Sequence, residues 1–118
     1  MPDSPYNYID FSYLKSISGG DADTERTILQ MLLTDMEQLC PMLRSHFESS
    51  QIEELEKVAH KLKTSLAFSG NAEIMESNDA VLEIARTQNE LDKVPDLITK
   101  IEELTPLIIQ ELHQALAQ

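Results

Sequence analysis

The sequence predicts an all-α protein: an antiparallel up-down four-helix bundle with a short N-terminal capping helix. Three observations predict it. Apolar residues recur at spacings of three and four along four long segments, and no segment shows the alternation of a strand. Leu, Ile, Met and Ala fill the apolar positions and Glu, Gln and Lys the polar ones, while Trp is absent, which is the composition of a helical chain. The connections between segments are short, which favours antiparallel neighbours. No internal repeat, low-complexity tract or long linker divides the chain. Its 118 residues are therefore expected to form one domain, 1–118. Within it, a short helix over about 9–17 precedes a bundle over about 22–117.

The first helix ends at Gly19-Gly20. Asp21 or Asp23 can cap the second, which carries Ile28, Leu32, Met36, Leu39, Leu43 and Phe47. Pro41 lies inside this helix and is expected to bend it, because proline lacks a backbone donor and crowds the preceding turn. Ser50 with Glu53 has the spacing of a capping box for the third helix, whose stripe is Ile52, Leu55, Ala59, Leu62 and Leu66. Gly70 stops that helix and Asn71 can start the fourth, over about 72–87, with Ile74, Val81, Ile84 and Ala85 on a less regular stripe. The run TQNELDKVPD reads as a turn. The last helix carries Leu97, Ile101, Leu104, Ile108, Leu112 and Ala115. Each helix alone is marginal, so mutual burial of the stripes supplies most of the stability.

Nine basic residues against 21 acidic ones give a net charge of -12, which repels nucleic acid and anionic membrane surfaces. No apolar run is long enough to cross a bilayer. The opening MPDSPYNYID has no basic region followed by an apolar stretch, so it does not read as a secretory signal. Cys40 stands alone, which rules out a disulfide framework and fits a reducing, cytoplasmic setting. Cys40 itself reads as a small buried or half-buried apolar residue.

The chemistry concentrates around His60. With Leu55 as the zero direction, Ala59, Leu62 and Leu66 fall close to zero and His60 falls near ~140°. His60 therefore stands off the core stripe. Lys63, Thr64 and Ala67 fall at ~80°, ~180° and ~120°, one and two turns further along the same exposed face. An exposed imidazole is largely neutral near neutral pH and keeps a free lone pair on one ring nitrogen. It is a nucleophile that needs no general base and can accept a phosphoryl group. The equatorial oxygens of that group are negative, and an adjacent ammonium stabilises them during transfer and in the product. Lys57, Lys61 and Lys63 all lie close in sequence, but only Lys63 has the geometry to do so.

The stretch AHKLKTSLAFSGNAEI resembles the signature of the histidine-containing phosphotransfer family, H-x-L-K-G-S followed by a Gly-Ala pair and a downstream Leu. His60, Leu62, Lys63, Ser65 and Gly70 match in ungapped register, and Ile74 stands in for the Leu. Upstream, IDFSYLKSISGGDADTERTILQMLLTD is similar to the family's opening helix, Gly-Gly-Asp turn and long second helix. The resemblance thus covers essentially the whole chain, and the family's fold is a four-helix bundle. It implies a phosphocarrier without kinase or ATP-binding activity. The histidine, here His60, takes a phosphoryl group from a receiver-domain aspartate and passes it to another. The implied partners are response-regulator receiver domains and a hybrid sensor histidine kinase. No cofactor belongs to the chain itself, the Mg2+ being the receiver's. Lys63 supports the phosphate, Thr64 and Ala67 lie on the receiver-docking face, and the chain is expected to be a monomer. Three departures stand out. Thr64 occupies the family's Gly, Asn71 replaces the usual Ala, and the fourth-helix position that orients the imidazole falls on Leu82, with Glu83 one residue late.

Two other readings compete. One is an adaptor that docks a receiver or kinase and modulates signalling without being phosphorylated, for which Thr64 and the missing fourth-helix partner leave room. The other is a metal site from His46, His60, His113 and carboxylates, which the sequence disfavours because no two histidines have ligand spacing. His46 and His113 lie near helix C-termini, where a cation is favourable. No phosphate-cradling loop with a following lysine is present, and no acid is placed to build a Ser-His-acid triad. Leu107 and Ile109 are additional apolar residues on the last helix and candidates for a contact surface.

Overall fold

A computed structural model describes residues 5–118, so the first four residues of the expected 1–118 domain and of its polar opening lie outside it. Five helices follow in order: α1 (Ser12–Ser18), α2 (Ala22–Glu48), α3 (Ile52–Leu66), α4 (Ala72–Thr87) and α5 (Val94–Leu116). Single 3-10 turns, Ala67–Ser69 and Leu91–Lys93, lie between α3 and α4 and between α4 and α5. Helices α2 to α5 form a closed antiparallel ring in which each packs on its chain neighbours and α5 returns to α2. The pairing of ends is visible in cross-helix bonds. Arg26 at the start of α2 donates to the Leu116 carbonyl at 2.6 Å, and Arg44 near its end meets Glu102 at 2.8 Å.

The stripes anticipated from periodicity build the core, with one rotation. On α2, Leu32, Met36 and Leu43 are fully buried, but Leu29 and Cys40 complete the stripe while Ile28, Leu39 and Phe47 are half-buried. Burial pushes the Cys40 thiol up to about 11, so it stays protonated and unreactive. On α3, Leu55, Ala59, Leu62 and Leu66 are buried and Ile52 is half-buried. The α4 stripe is irregular because polar Ser77 and Asn78 are buried among Ile74, Val81, Ile84 and Ala85. On α5, Ile101, Leu104, Ile108 and Leu112 are buried, joined by Ile98 and by the carboxylate residue Glu111.

Two boundaries differ from the sequence expectation. The first helix begins at Ser12 rather than at residue 9. The Asp10 carboxylate accepts from Ser12 N and Oγ, and the Asp10 amide donates to the Ser69 carbonyl at 2.9 Å, which ties the chain to the 3-10 turn ahead of the helix. The capping box at Ser50 does not form. Ser50 adopts φ 59° and its N–H bonds the Phe47 carbonyl, while the Gln51 N–H bonds the His46 carbonyl at 2.8 Å. That is the Schellman ending of α2, so Ser50 terminates one helix instead of starting the next. Helix α3 begins with Gln51 at its N-cap and no side-chain cap. The caps at Asp21, which accepts from Thr24 N, and Asn71, which accepts from Ile74 N, form as expected. Helix α2 continues through Pro41, which lies on its exposed side.

Helix α1 rests on α2 and on the 3-10 turn after α3, anchored by Leu14. It thereby closes the end of the bundle where α3 turns into α4. The segment before it is held by Glu111, whose carboxylate accepts the backbone N–H groups of Asn7, Tyr8 and Ile9 at 2.7, 2.9 and 3.1 Å. Gly70 completes the junction. It has φ 65°, and a Cβ there would collide with the Asp10 carbonyl oxygen. Among the described residues, no helix is long and apolar enough to cross a membrane.

Candidate functional site

Helix α3 turns its apolar stripe inward, and this places His60 on the outer face. His60, Lys63 and Thr64 are all exposed. Ala67 is half-buried in the 3-10 turn that continues α3 with right-handed backbone angles, so it remains two turns beyond His60 on the same side. The structure therefore brings together all four residues singled out from the sequence. Ser65, one residue past Thr64, is buried on the α2 side and donates to the Asp35 carboxylate at 2.5 Å. That bond anchors α3 to α2 behind the exposed face.

Electrostatically the face is sparse. Lys57 pairs with Glu54 at 3.2 Å, and Glu56 is held by Arg86 at 3.7 Å. Lys63 makes no ion pair among the described residues, and the His60 imidazole makes no hydrogen bond. Neither Leu82 nor Glu83 on α4 orients the ring. Leu82 is buried in the core, and Glu83 is exposed and lies 3.8 Å from Arg86. His46 is occupied elsewhere, with Nδ1 2.9 Å from Gln51 Oε1 at the end of α2, and His113 is exposed near the end of α5. Among the described residues no three His, Cys, Asp or Glu side chains converge on a common point.

Beyond Ala67 the surface becomes apolar. Tyr13 of α1, 47% exposed, stacks on Phe68 with ring centroids 5.4 Å apart. An open hollow of about 480 Å3 runs from Tyr13 past Ala67 to Met75, bordered by Glu76 and Asp79. Sequence reasoning missed these neighbours because they come from α1 and α4, and only the packing of α1 against the turn brings them next to the α3 face. It also missed Asn78, for which a signal existed: a polar residue four positions after Ile74 and three before Val81, inside the α4 stripe.

The chain is similar to the crystal structure of histidine-containing phosphotransfer protein B (HptB) from Pseudomonas aeruginosa PAO1. The TM-score is 0.81 at 21% sequence identity, over 98% of this chain and 97% of that one. The fold is that of a histidine-containing phosphotransfer protein. No protein-family model matches the chain, and no curated protein sequence matches it. The likeness runs along nearly the whole of both chains.

Proposed function

We propose that the protein is a phosphocarrier of a two-component phosphorelay, in which His60 accepts a phosphoryl group from a receiver-domain aspartate and passes it to another receiver. The observation that carries this reading is the exposed His60 imidazole with the unpaired Lys63 one turn away on the same face. In the forward step a ring nitrogen attacks phosphorus. The N–P bond forms as the P–O bond to the donor aspartate breaks, and the aspartate leaves as a carboxylate. The reverse sequence on a second receiver releases the group. Lys63 faces the charge that develops on the phosphoryl oxygens. The Mg2+ and the remaining catalytic groups belong to the receiver, so the chain is not itself a kinase. Thr64 and Ala67, with the Tyr13–Phe68 pair beyond them, form the face against which a receiver docks.

The second reading, an adaptor that docks a receiver without being phosphorylated, is favoured by Thr64 beside the imidazole and by the missing ring partner on α4. The two part in one experiment. The chain is mixed with a receiver carrying labelled phosphate, and label and binding are followed together. Acid-labile, base-stable label on the chain supports the phosphocarrier. Binding without label to every receiver tried refutes it in favour of the adaptor.

A further inference from the structure

The α4 side of the site holds a side chain that the phosphocarrier reading leaves unused. Asn78 is fully buried, and its Nδ2 donates to the Ala59 carbonyl at 2.9 Å. Ala59 immediately precedes His60, so this bond fixes the α3 backbone at the histidine. The other end of the same carboxamide, Oδ1, is buried without a hydrogen-bond partner, and it is the one such side-chain atom among the described residues. An unpaired buried acceptor is costly, and native structures rarely leave one unmet.

A hollow of about 120 Å3 adjoins it, lined by Lys63, Leu66, Ala67, Met75, Asn78 and Asp79. Its walls are largely apolar, with the Asp79 carboxylate at the exposed edge. Lys63 suits this space. Its four-carbon stem can lie along Leu66, Ala67 and Met75, and its ammonium has three donors and no ion pair.

We propose that Asn78 is a positioning residue of the His60 site: Nδ2 holds α3 at Ala59, and the buried Oδ1 receives the Lys63 ammonium, which exchanges this acceptor for phosphoryl oxygens when His60 is loaded. The consequence for transfer rests on the phosphocarrier reading, whereas the contact does not. The lysine is thus kept beside the histidine instead of sweeping through solvent, and Asp79 adds a negative charge at the same resting place.

The contact is read by NMR without any phosphotransfer. Lys63 is exposed, so Lys63→Met keeps the stem, removes the ammonium and leaves the core untouched. It is expected to shift the side-chain carboxamide signals of Asn78, while Lys61→Met leaves them in place. Unchanged Asn78 signals in Lys63→Met overturn the proposal and assign the hollow to water. The role is read by single-turnover transfer from a phosphorylated receiver. Loss of one hydrogen bond of this kind corresponds to about two- to tenfold in rate. Asn78→Ala is expected to slow transfer by that factor with half-saturation by the receiver unchanged. The Asn78→Ala/Lys63→Met double variant should lose less than the two single losses combined, because the part that passes through Lys63 is removed once while the part that comes from the Ala59 bond remains. Additive losses overturn the positioning role. A wild type that accepts no phosphoryl group, together with an Asn78 shift in Lys63→Met, upholds the contact while the phosphocarrier reading fails.

Discussion

Glu111 is the group on which the N-terminal segment hangs, and replacing it with Gln tests how the end of the bundle beside the site is held. The carboxylate meets three backbone donors: Oε2 accepts from Asn7, and Oε1 accepts from Tyr8 and Ile9. Glutamine has the same shape but one acceptor oxygen. Turned so that its oxygen serves Tyr8 and Ile9, its NH2 faces the Asn7 N–H, donor against donor. One bond to a charged group is lost and the other two fall to neutral strength, a cost of about 2–3 kcal/mol. If the segment opens as a local unit, that cost raises amide exchange of Asn7, Tyr8 and Ile9 roughly 30- to 150-fold. Native-state hydrogen exchange at neutral pH measures it, with amides in the middle of α3 as an unchanged reference. Exchange of the three amides within about threefold of wild type would show that the carboxylate does not hold the segment.

Three further outcomes follow from the same structure. Gly70→Ala puts a Cβ into the Asp10 carbonyl at positive φ and should cost about 2–4 kcal/mol, whereas Gly19→Ala, also at positive φ but in open space, should cost about 1 kcal/mol. Equal losses in urea melts would refute the collision. Ser50→Gly removes the strain of a serine at φ 59° and should add about 0.5–1 kcal/mol of stability, seen as a higher urea midpoint at unchanged m, while a lowered midpoint would deny the Schellman ending. The Arg44 guanidinium, bonded to Glu102, holds that carboxyl below its ordinary value. Its contribution is therefore complete above the ordinary carboxylate range and lost as pH falls through the lowered value. Wild type should exceed Glu102→Gln by about 0.5–1 kcal/mol at pH 7, with the gap closing in acid, and a gap independent of pH contradicts the pairing.

The four long helices were legible in the sequence because each carries a stripe at helical spacing, and burial of that stripe is what stabilises it. The exposed face of α3 was legible for the same reason: once Leu55, Ala59, Leu62 and Leu66 point inward, His60, Lys63 and Thr64 must point out. What stayed hidden depends on contacts distant in sequence. Ser50 and Glu53 have capping-box spacing, but the competing Schellman bonds to Phe47 and His46 decide the geometry. Glu111 reads as one more surface glutamate until its three donors, about a hundred residues earlier, are placed beside it. The start of α1 is set by the Asp10–Ser69 bond rather than by helix propensity. Asn78 sat in plain view within an apolar stripe, but only the structure shows which carbonyl it serves and that half of its carboxamide is unmet.

The phosphocarrier role of His60 stands or falls on where the phosphoryl group sits. The chain is incubated with a phosphorylated receiver, digested under alkaline conditions that preserve phosphohistidine, and the modified residue is assigned by tandem mass spectrometry. One phosphoryl group is expected on the His60 imidazole, none on His46 or His113, and none on a folded His60→Gln variant. A phosphoryl group on any other residue, or equal loading of His60→Gln, would contradict that role.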